Sequence, residues 1–127
     1  MTMETALRTR IKSGVSALTG QVDWTVRPQG AALPCIVLSS VSDARSQHMG
    51  GFNGYRPTRV QVDCYAATKA ASVELREAAI AAVVPEGTVG GVSFLRAFIN
   101  NVLDRGEQTD TGFVHRELID LTIWHDA

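Results

Sequence analysis

The residues that could do acid–base or metal chemistry are few and loosely spaced. The chain has three histidines, His48, His115 and His125. None has Cys, His or carboxylate neighbours at the spacing of a zinc site. Asp63 with Tyr65, or Asp120 with His115, could form an acid–base pair, but alternate charged residues are equally typical of the solvent-facing side of a sheet. We therefore predict no catalytic residue and no metal ligand, and expect the histidines at the surface or an interface.

Residues 50–54, with the sequence GGFNG, resemble a phosphate-binding loop only superficially. A P-loop requires Lys followed by Ser or Thr at the opening of a helix, so that backbone N–H groups surround the phosphate. Here Tyr55, Arg56 and Pro57 lead into a predicted strand instead. We interpret these glycines as a source of backbone flexibility, and we predict no nucleotide or other cofactor.

Three acidic residues near the C-terminus, Asp104, Glu107 and Asp110, are the remaining candidate ligands for a metal ion. An EF-hand loop alternates its oxygen ligands more tightly and ends in a Glu, and neither feature is present. The sequence therefore predicts no calcium site. Since no nucleophile motif is present either, it also predicts a protein that is not an enzyme.

Two segments, residues 59–66 and 113–125, alternate apolar and polar side chains. Successive side chains of a strand point to opposite faces of the sheet, which separates an apolar set from a polar set. The apolar set is Val60, Val62, Cys64, Ile119, Leu121 and Ile123, and the polar set is Arg59, Gln61, Asp63, Asp120 and Thr122. This pattern predicts a sheet with helices on one side. On the other side it predicts an exposed charged face, where we expect a protein partner.

Helical periodicity places a first helix over residues 4–18 and a second over residues 68–84, with Thr68 as its N-cap. Strands are predicted at residues 22–26 and 35–41. Residues 92–103 read as one long or broken strand, with a helix in the middle as the alternative, and residues 104–112 read as a turn. The predicted fold class is α+β: a mostly antiparallel β-sheet with an N-terminal helix and a second helix packed on one face.

The segment from residue 42 to residue 56 is rich in Gly and short polar residues and is long for a loop in a compact domain. Loops of this length are usually functional or disordered. Met49, Phe52 and Tyr55 are too apolar for a plain solvent-facing linker. We predict a mobile hairpin extension whose apolar side chains are covered by a neighbouring protein.

Composition fits one globular domain, because 127 residues with 45% apolar content can bury a sizeable core. A net charge of −1 without a basic cluster argues against nucleic acid as the primary ligand. Neither a signal peptide nor a membrane span is apparent, so we expect a cytoplasmic location unless the protein leaves inside a larger particle. Cys35 and Cys64 are predicted to be reduced, buried thiols, with a cross-strand disulfide as the alternative.

Three segments in this order resemble the tail-completion, or tail-terminator, proteins of long-tailed bacteriophages, prophages and gene transfer agents. They are residues 27–34, which lead into a strand, residues 59–68, which lead into a helix, and residues 119–125 near the C-terminus. Together they span most of the chain, which the resemblance treats as a single tail-terminator-like domain over residues 1–127. It implies a ring, expected to be hexameric, that caps the tail tube and joins the tail to the head.

The resemblance also implies the partners: other copies of the chain, the tail tube protein and the head-completion or stopper protein. DNA would pass through the lumen without specific binding, and the protein would reside in the tail or neck of the particle after a stay in the host cytoplasm. The implied interface includes Met49, Phe52, Tyr55 and Arg56 in the Gly-rich extension. Arg59, Asp63, Arg105 and Glu107 could set subunit register through ion pairs, with solvated surface as the alternative for each.

Two other functions fit the same sequence. A head-side connector or stopper subunit shares small size and ring symmetry, and contact with a portal adaptor instead of a tube protein would identify it. A small ligand-binding or enzymatic α+β domain would require a concave site beneath the Gly-rich loop with convergent polar groups.

Overall fold

The computed structural model describes residues 2–15, 22–25, 33–43, 45, 47–48, 51–52, 54–109 and 112–126. Within these residues the elements, in chain order, are two helices and ten strands: α1 Met3–Gly14, β1 Val22–Trp24, β2 Cys35–Asp43, β3 Gln47–His48, β4 Gly51–Phe52, β5 Arg56–Ala66, α2 Lys69–Val83, β6 Gly87–Val89, β7 Val92–Phe94, β8 Phe98–Asp104, β9 Glu107–Thr109 and β10 Gly112–His125.

Both helices begin where a threonine side chain caps the first turn. The Thr2 hydroxyl accepts from the Thr5 amide, and the Thr68 hydroxyl accepts from the Ala71 amide at 3.1 Å, as predicted for α2. Helix α2 ends before Pro85, which has no amide hydrogen with which to continue it. Helix α1 ends at Gly14. The predicted first helix is therefore wrong at Val15, whose backbone is extended, and its residues 16–18 lie outside the described residues.

The main sheet is mixed. Its strands run in the order β1-β2-β5-β10-β7-β6, and β8 and β9 also pair with β10. Among the described strands, only the β1–β2 pair is parallel; β2–β5 and β5–β10 are long antiparallel pairs. The α+β prediction with a mostly antiparallel sheet is confirmed.

Strands β7, β8 and β9 pair one after another along β10, which makes residues 92–109 a single interrupted arm. The predicted broken strand is therefore confirmed, and the helix alternative for its middle is wrong. The predicted turn over residues 104–112 is wrong at Glu107–Thr109, which forms β9. Pairing resumes there because the Arg105 amide donates to the Arg116 carbonyl at 2.7 Å and keeps the arm against β10.

The core lies between the helices and one face of the sheet. Val60, Val62, Ile119, Leu121 and Ile123 are all buried on that face, as the alternation predicted. They pack with apolar residues of both helices, among them Leu7, Ile11, Leu75 and Ala79. Burial of these side chains is the main driving force for docking α1 and α2 onto the sheet.

The opposite face of the sheet, called the outer face below, is less exposed than predicted. Asp63 and Asp120 are only 4% and 7% exposed, so the prediction of a solvated charged face is wrong at these two positions. A second apolar cluster of Cys35, Val37, Tyr65 and Val114 lies near one end of this face. Charged side chains beside such a cluster lose water and need partners within the chain.

Cys35 and Cys64 lie on opposite faces of the sheet. Cys35 is opposite Tyr65 and Cys64 is opposite Ile36 in the β2–β5 register, so the two sulfur atoms point away from each other. Both are buried thiols, and the disulfide alternative is wrong.

Part of the Gly-rich extension forms a small hairpin of its own. Strands β3 and β4 pair with each other and not with the main sheet, which confirms a hairpin in this segment. Met49 lies outside the described residues, as do the side chains of Phe52 and Glu107. A second tight hairpin joins β6 to β7 through Gly90 and Gly91, whose positive φ angles of 55° and 83° suit glycine.

Candidate assembly surface

Arg59 and Asp120 form an ion pair across β5 and β10 on the outer face. Arg59 lies opposite Thr122 in the register, so Asp120 is its diagonal neighbour. The Arg59 Nε donates to Asp120 Oδ1 at 3.0 Å. This hydrogen bond and the guanidinium charge lower the pKa of Asp120, although burial of the carboxyl opposes the shift. Half of the Arg59 side chain remains exposed, so one side of the pair is open to a partner.

Asp63 is held by a second arginine on the same face. The Arg116 Nε donates to Asp63 Oδ1 at 3.0 Å, and the Arg116 guanidinium lies 5.6 Å from the centre of the Tyr65 ring. Cross-strand contacts of this kind stabilise the pairing of β5 with β10. Asp63 therefore makes its ion pair inside the subunit, and its predicted part in subunit register stays a prediction.

Asp43 ties together both ends of the Gly-rich extension. It ends β2, and its carboxylate accepts from Arg45 Nη2 at 2.8 Å, from Arg56 Nε at 3.1 Å and from the Thr58 hydroxyl at 3.0 Å. Burial opposes ionisation of Asp43. The hydrogen bonds from Arg45 and Thr58, together with the charges of Arg56 and Arg45, nevertheless lower its pKa. Arg56, predicted to contact a partner, thus closes the base of the extension.

Behind Asp43, Thr58 contacts the ring of His125 at 2.6 Å. Both residues are buried on the core face, so the prediction that the histidines lie at the surface or an interface is wrong at His125. A hydroxyl carries one proton, and Asp43 accepts it, so His125 Nε2 must donate to Thr58. The chain Asp43–Thr58–His125 joins the base of the extension to the end of β10.

Glu117 is a buried carboxylate on the core face, with cations from α2 around it. Lys69 Nζ lies 2.6 Å from Glu117 Oε1 and equally close to Asp104 Oδ2, and Arg76 Nη1 lies 3.6 Å from Glu117. Both acidic contacts raise the pKa of Lys69. This cluster was not predicted from the sequence. The sequence nevertheless contains a signal for it. Glu117 alternates in step with Ile119 and Leu121 and therefore lies on the core face, where a buried carboxylate requires a cation.

Large apolar side chains are exposed at several points of the surface, and three of them are on one strand. Phe98, Ile99 and Val102 belong to β8, where Phe98 is 59% exposed. The others are Val41, Tyr55, Leu95 and Phe113. Ile99 and Val102 lie on the core face, opposite Leu121 and Ile119, and Phe98 lies on the outer face, opposite Thr122. Single exposed apolar residues are ordinary, but a row along one strand, here on both of its faces, is typical of a contact surface.

Neither of the two concave features that described residues line holds more than one charged side chain. One cavity of about 280 Å³ lies between the end of α1, Pro34 and α2, and Glu74 is the only charged side chain among the described residues that line it. A depression beside Tyr55 is lined by the β6–β7 hairpin. The residues described by the structure contain no group of His, Cys, Asp or Glu that could hold a metal ion. Within the same residues, no helix is long and apolar enough to cross a membrane.

The structure brings only some of the predicted interface residues together. Arg59 and Asp63 share the outer face, and Tyr55 is exposed next to Arg56 at the base of the extension. Arg105 is exposed at the break between β8 and β9, where Glu107 begins the next strand. The set therefore marks two separate regions, the base of the extension with the outer face, and the β8–β9 arm.

Comparison with known proteins finds a matching protein family and a solved structure of similar fold. The sequence profile of the family described as tail completion protein gp17 matches residues 5–126. A chain in a solved structure, the virion of a native gene transfer agent (GTA) particle, is similar in fold with a TM-score of 0.60 at 11% sequence identity. The alignment covers 97% of this chain and 94% of that chain. Comparison with curated protein sequences finds no significant match.

Proposed function

The chain belongs to the tail completion protein gp17 family, and we propose that it forms a ring that terminates the tail tube and joins the tail to the head. Membership of the family makes the chain a structural protein of a phage-type tail. The proposed ring is hexameric, with residues 1–127 acting as one domain in each subunit. One face of the ring docks on the tail tube protein, the other on the head-completion or stopper protein, and DNA passes through the lumen without specific binding.

The observation that carries this proposal is the row of exposed apolar residues on β8 in a protein of this family. Phe98, Ile99 and Val102 are uncovered in the single chain. An assembled ring supplies the neighbour that would cover them, because each subunit of a ring offers two different surfaces to its two neighbours. A catalytic domain would instead be expected to bring a few convergent polar groups into a concave pocket.

Such a ring ends tail growth by occupying a surface. Once it docks on the last layer of the tube, it buries the contacts on which the next layer would assemble, and elongation stops without any covalent step. The Gly-rich extension, with Tyr55 exposed near its base, would reach a neighbouring subunit or the tube. Arg59 and Arg105, both exposed on the subunit surface, would help to set the register between partners.

The test is the mass of the purified protein over a range of concentrations, alone and with tail tubes, by light scattering after size-exclusion chromatography. Electron microscopy of the tube ends then shows where the protein binds. Rings, or one cap on each tube end, would support the proposal. A monomer that ignores tubes but binds a portal adaptor would overturn it in favour of a head-side connector.

A further inference from the structure

Strand β8 presents an unprotected edge of the main sheet. Among the described residues it pairs only with β10, so the hydrogen-bonding groups on its other side face outward. Residues 98–103 carry no charge, although 20% of the whole chain is charged. Exposed edges are usually protected by charged residues or proline, because otherwise they pair with other strands. We call residues Phe98–Asp104 the β8 edge.

A second edge of the same kind lies on the opposite side of the sheet. Strand β1 pairs with β2 only at residues 36–38, so the outward side of residues 39–43 is not covered by any strand within the described ranges. Residues 39–42 are three serines and Val41, which is exposed. We call residues 39–43 the β2 edge.

The two edges run in opposite directions. β2 is antiparallel to β5, β5 to β10, and β10 to β8. A second copy rotated about an axis parallel to the strands therefore brings its β2 edge antiparallel to the β8 edge of the first copy. Such a junction continues the up-and-down alternation of the sheet from one subunit to the next.

We propose that the β8 edge of one subunit pairs with the β2 edge of the next, so that the sheets of neighbouring subunits are continuous around the ring. This inference rests on the proposed ring and specifies its subunit contact. Pairing gives strand partners to the outward backbone groups of both strands, including the Val102 amide, which in the single chain donates to the Asn101 side chain at 2.9 Å. It also covers Ile99 and Val102 on β8 and Val41 on β2. Because the two edges are different surfaces, the contact is heterologous and can close into a ring.

The register follows from the lengths of the edges and from their bulges. Aligning the middle of the β2 edge, Val41, with the middle of the β8 edge, Asn101, places Ser40 opposite Val102. Both of these residues lie on the helix-bearing face, since Ser40 pairs with Val60 and Val102 pairs with Ile119. Each edge also contains a bulge, between Ser40 and Ser42 and opposite Asp120 and Leu121, and bulges restrict a strand to particular registers.

Disulfide cross-linking tests the contact directly. In the variant Ser40→Cys/Val102→Cys, assembled subunits should oxidise to a ladder of covalent oligomers on denaturing gels. The matched control is Ser40→Cys/Asn101→Cys. Its second cysteine points to the outer face, because Asn101 pairs with Asp120, so the ladder should be strongly reduced. A covalent dimer from Val102→Cys alone would show β8 pairing with itself and would overturn the proposal.

Charge insertion tests the same contact without cysteines. Val102→Lys and Val41→Lys each place a charge at one of the two edges and should abolish rings at concentrations where the wild type forms them. Leu95→Lys is the control, because Leu95 is an exposed apolar residue outside both edges. Circular dichroism and thermal melting verify that each variant is folded, and using both edges keeps the test valid if one variant does not fold.

These experiments distinguish a failure of the proposed β8–β2 contact from a failure of the proposed ring. Rings that survive both lysine substitutions, or that give no ladder with Ser40→Cys/Val102→Cys, would overturn the contact and leave the ring standing. A wild-type chain that stays monomeric with and without tubes would overturn the ring and the contact together. Lysine variants that still form rings but no longer cap tubes would assign the two edges to contact with the tube protein instead of with a second copy.

Discussion

His125 donates a hydrogen bond to Thr58 inside the core, at a distance of 2.6 Å, and Thr58 donates in turn to Asp43 at 3.0 Å. Three polar residues from β2, β5 and β10 are thereby joined at the sheet end from which the Gly-rich extension leaves. Such buried chains rigidify a structure when every member has its partner, and they are costly when one is removed. This end of the sheet is therefore the anchor of the extension.

Replacing Thr58 with valine should destabilise the protein by about 1–3 kcal/mol, because the buried His125 ring loses its acceptor and Asp43 loses one of its three donors, at nearly constant side-chain volume. The free energy of unfolding from chemical denaturation measures this effect. Thr122→Val is the matched control, since Thr122 is bonded to Asn100 at the surface and its loss should cost less than about 0.5 kcal/mol. Equal costs for the two substitutions would contradict the role of Thr58.

The Arg59–Asp120 pair predicts a defined pH dependence. The pKa of Asp120 is lowered in the folded chain, so the carboxylate contributes stability above its unfolded pKa of about 3.9 and loses it as the pH falls through the folded value. Asp120→Asn should therefore be less stable than the wild type at pH 7, and the difference should shrink below about pH 4. Denaturation curves between pH 7 and pH 2.5 measure it.

The control for this pH series is Thr122→Val, which removes no ionisable group from the same face of β10. Its difference from the wild type should change much less over the same range. A stability difference for Asp120→Asn that stayed constant down to pH 2.5 would show that the charge of Asp120 plays no part.

The sequence predicted the faces of the sheet because period-two alternation is a local signal. Val60, Val62 and Cys64 are buried together, and Thr68 caps α2, both as the pattern indicated. The broken arm opposite β10 also follows from local signals. Strand ends were less predictable: Glu107–Thr109 looked like a turn but joins β10 because a long partner strand is available there.

The ion pairs could not be predicted in the same way. Asp63 meets Arg116, and Asp120 meets Arg59, only because β5 and β10 pair in one particular register. A shift by one residue would send every side chain of one strand to the other face. The sequence offered Asp63 as an interface residue because it showed the charge, but it could not show the arginine that lies beside it.

The two cysteines should be unreactive in the folded protein. Burial, with the nearby charges of Asp63 and Glu117, raises the pKa of Cys64, and Cys35 is equally buried on the other face. The thiolate is the reactive form, so both thiols should react with Ellman's reagent only as fast as the chain opens. Two equivalents should appear in denaturant. Rapid labelling of either cysteine without denaturant would contradict the buried positions.

Gly14 lies where α1 touches α2, and a methyl group added there would be 2.7 Å from the Ala82 side chain. Overpacking of this kind costs about 1–3 kcal/mol, less up to about 1 kcal/mol gained when alanine replaces glycine in a helix. Gly14→Ala should therefore lower the free energy of unfolding by about 1 kcal/mol. Gly54→Ala, where the added carbon meets nothing within 4 Å, should be close to neutral.

The double variant identifies the cause of that loss. In an Ala82→Gly background the opposing methyl group is gone, so Gly14→Ala should become neutral or stabilising, and the double-mutant cycle should yield a coupling energy of about 1 kcal/mol or more. If Gly14→Ala costs the same in both backgrounds, the two helices do not meet at this point. A coupling of the expected sign would show that close contact between α1 and α2, and not helix propensity, determines which residue position 14 accepts.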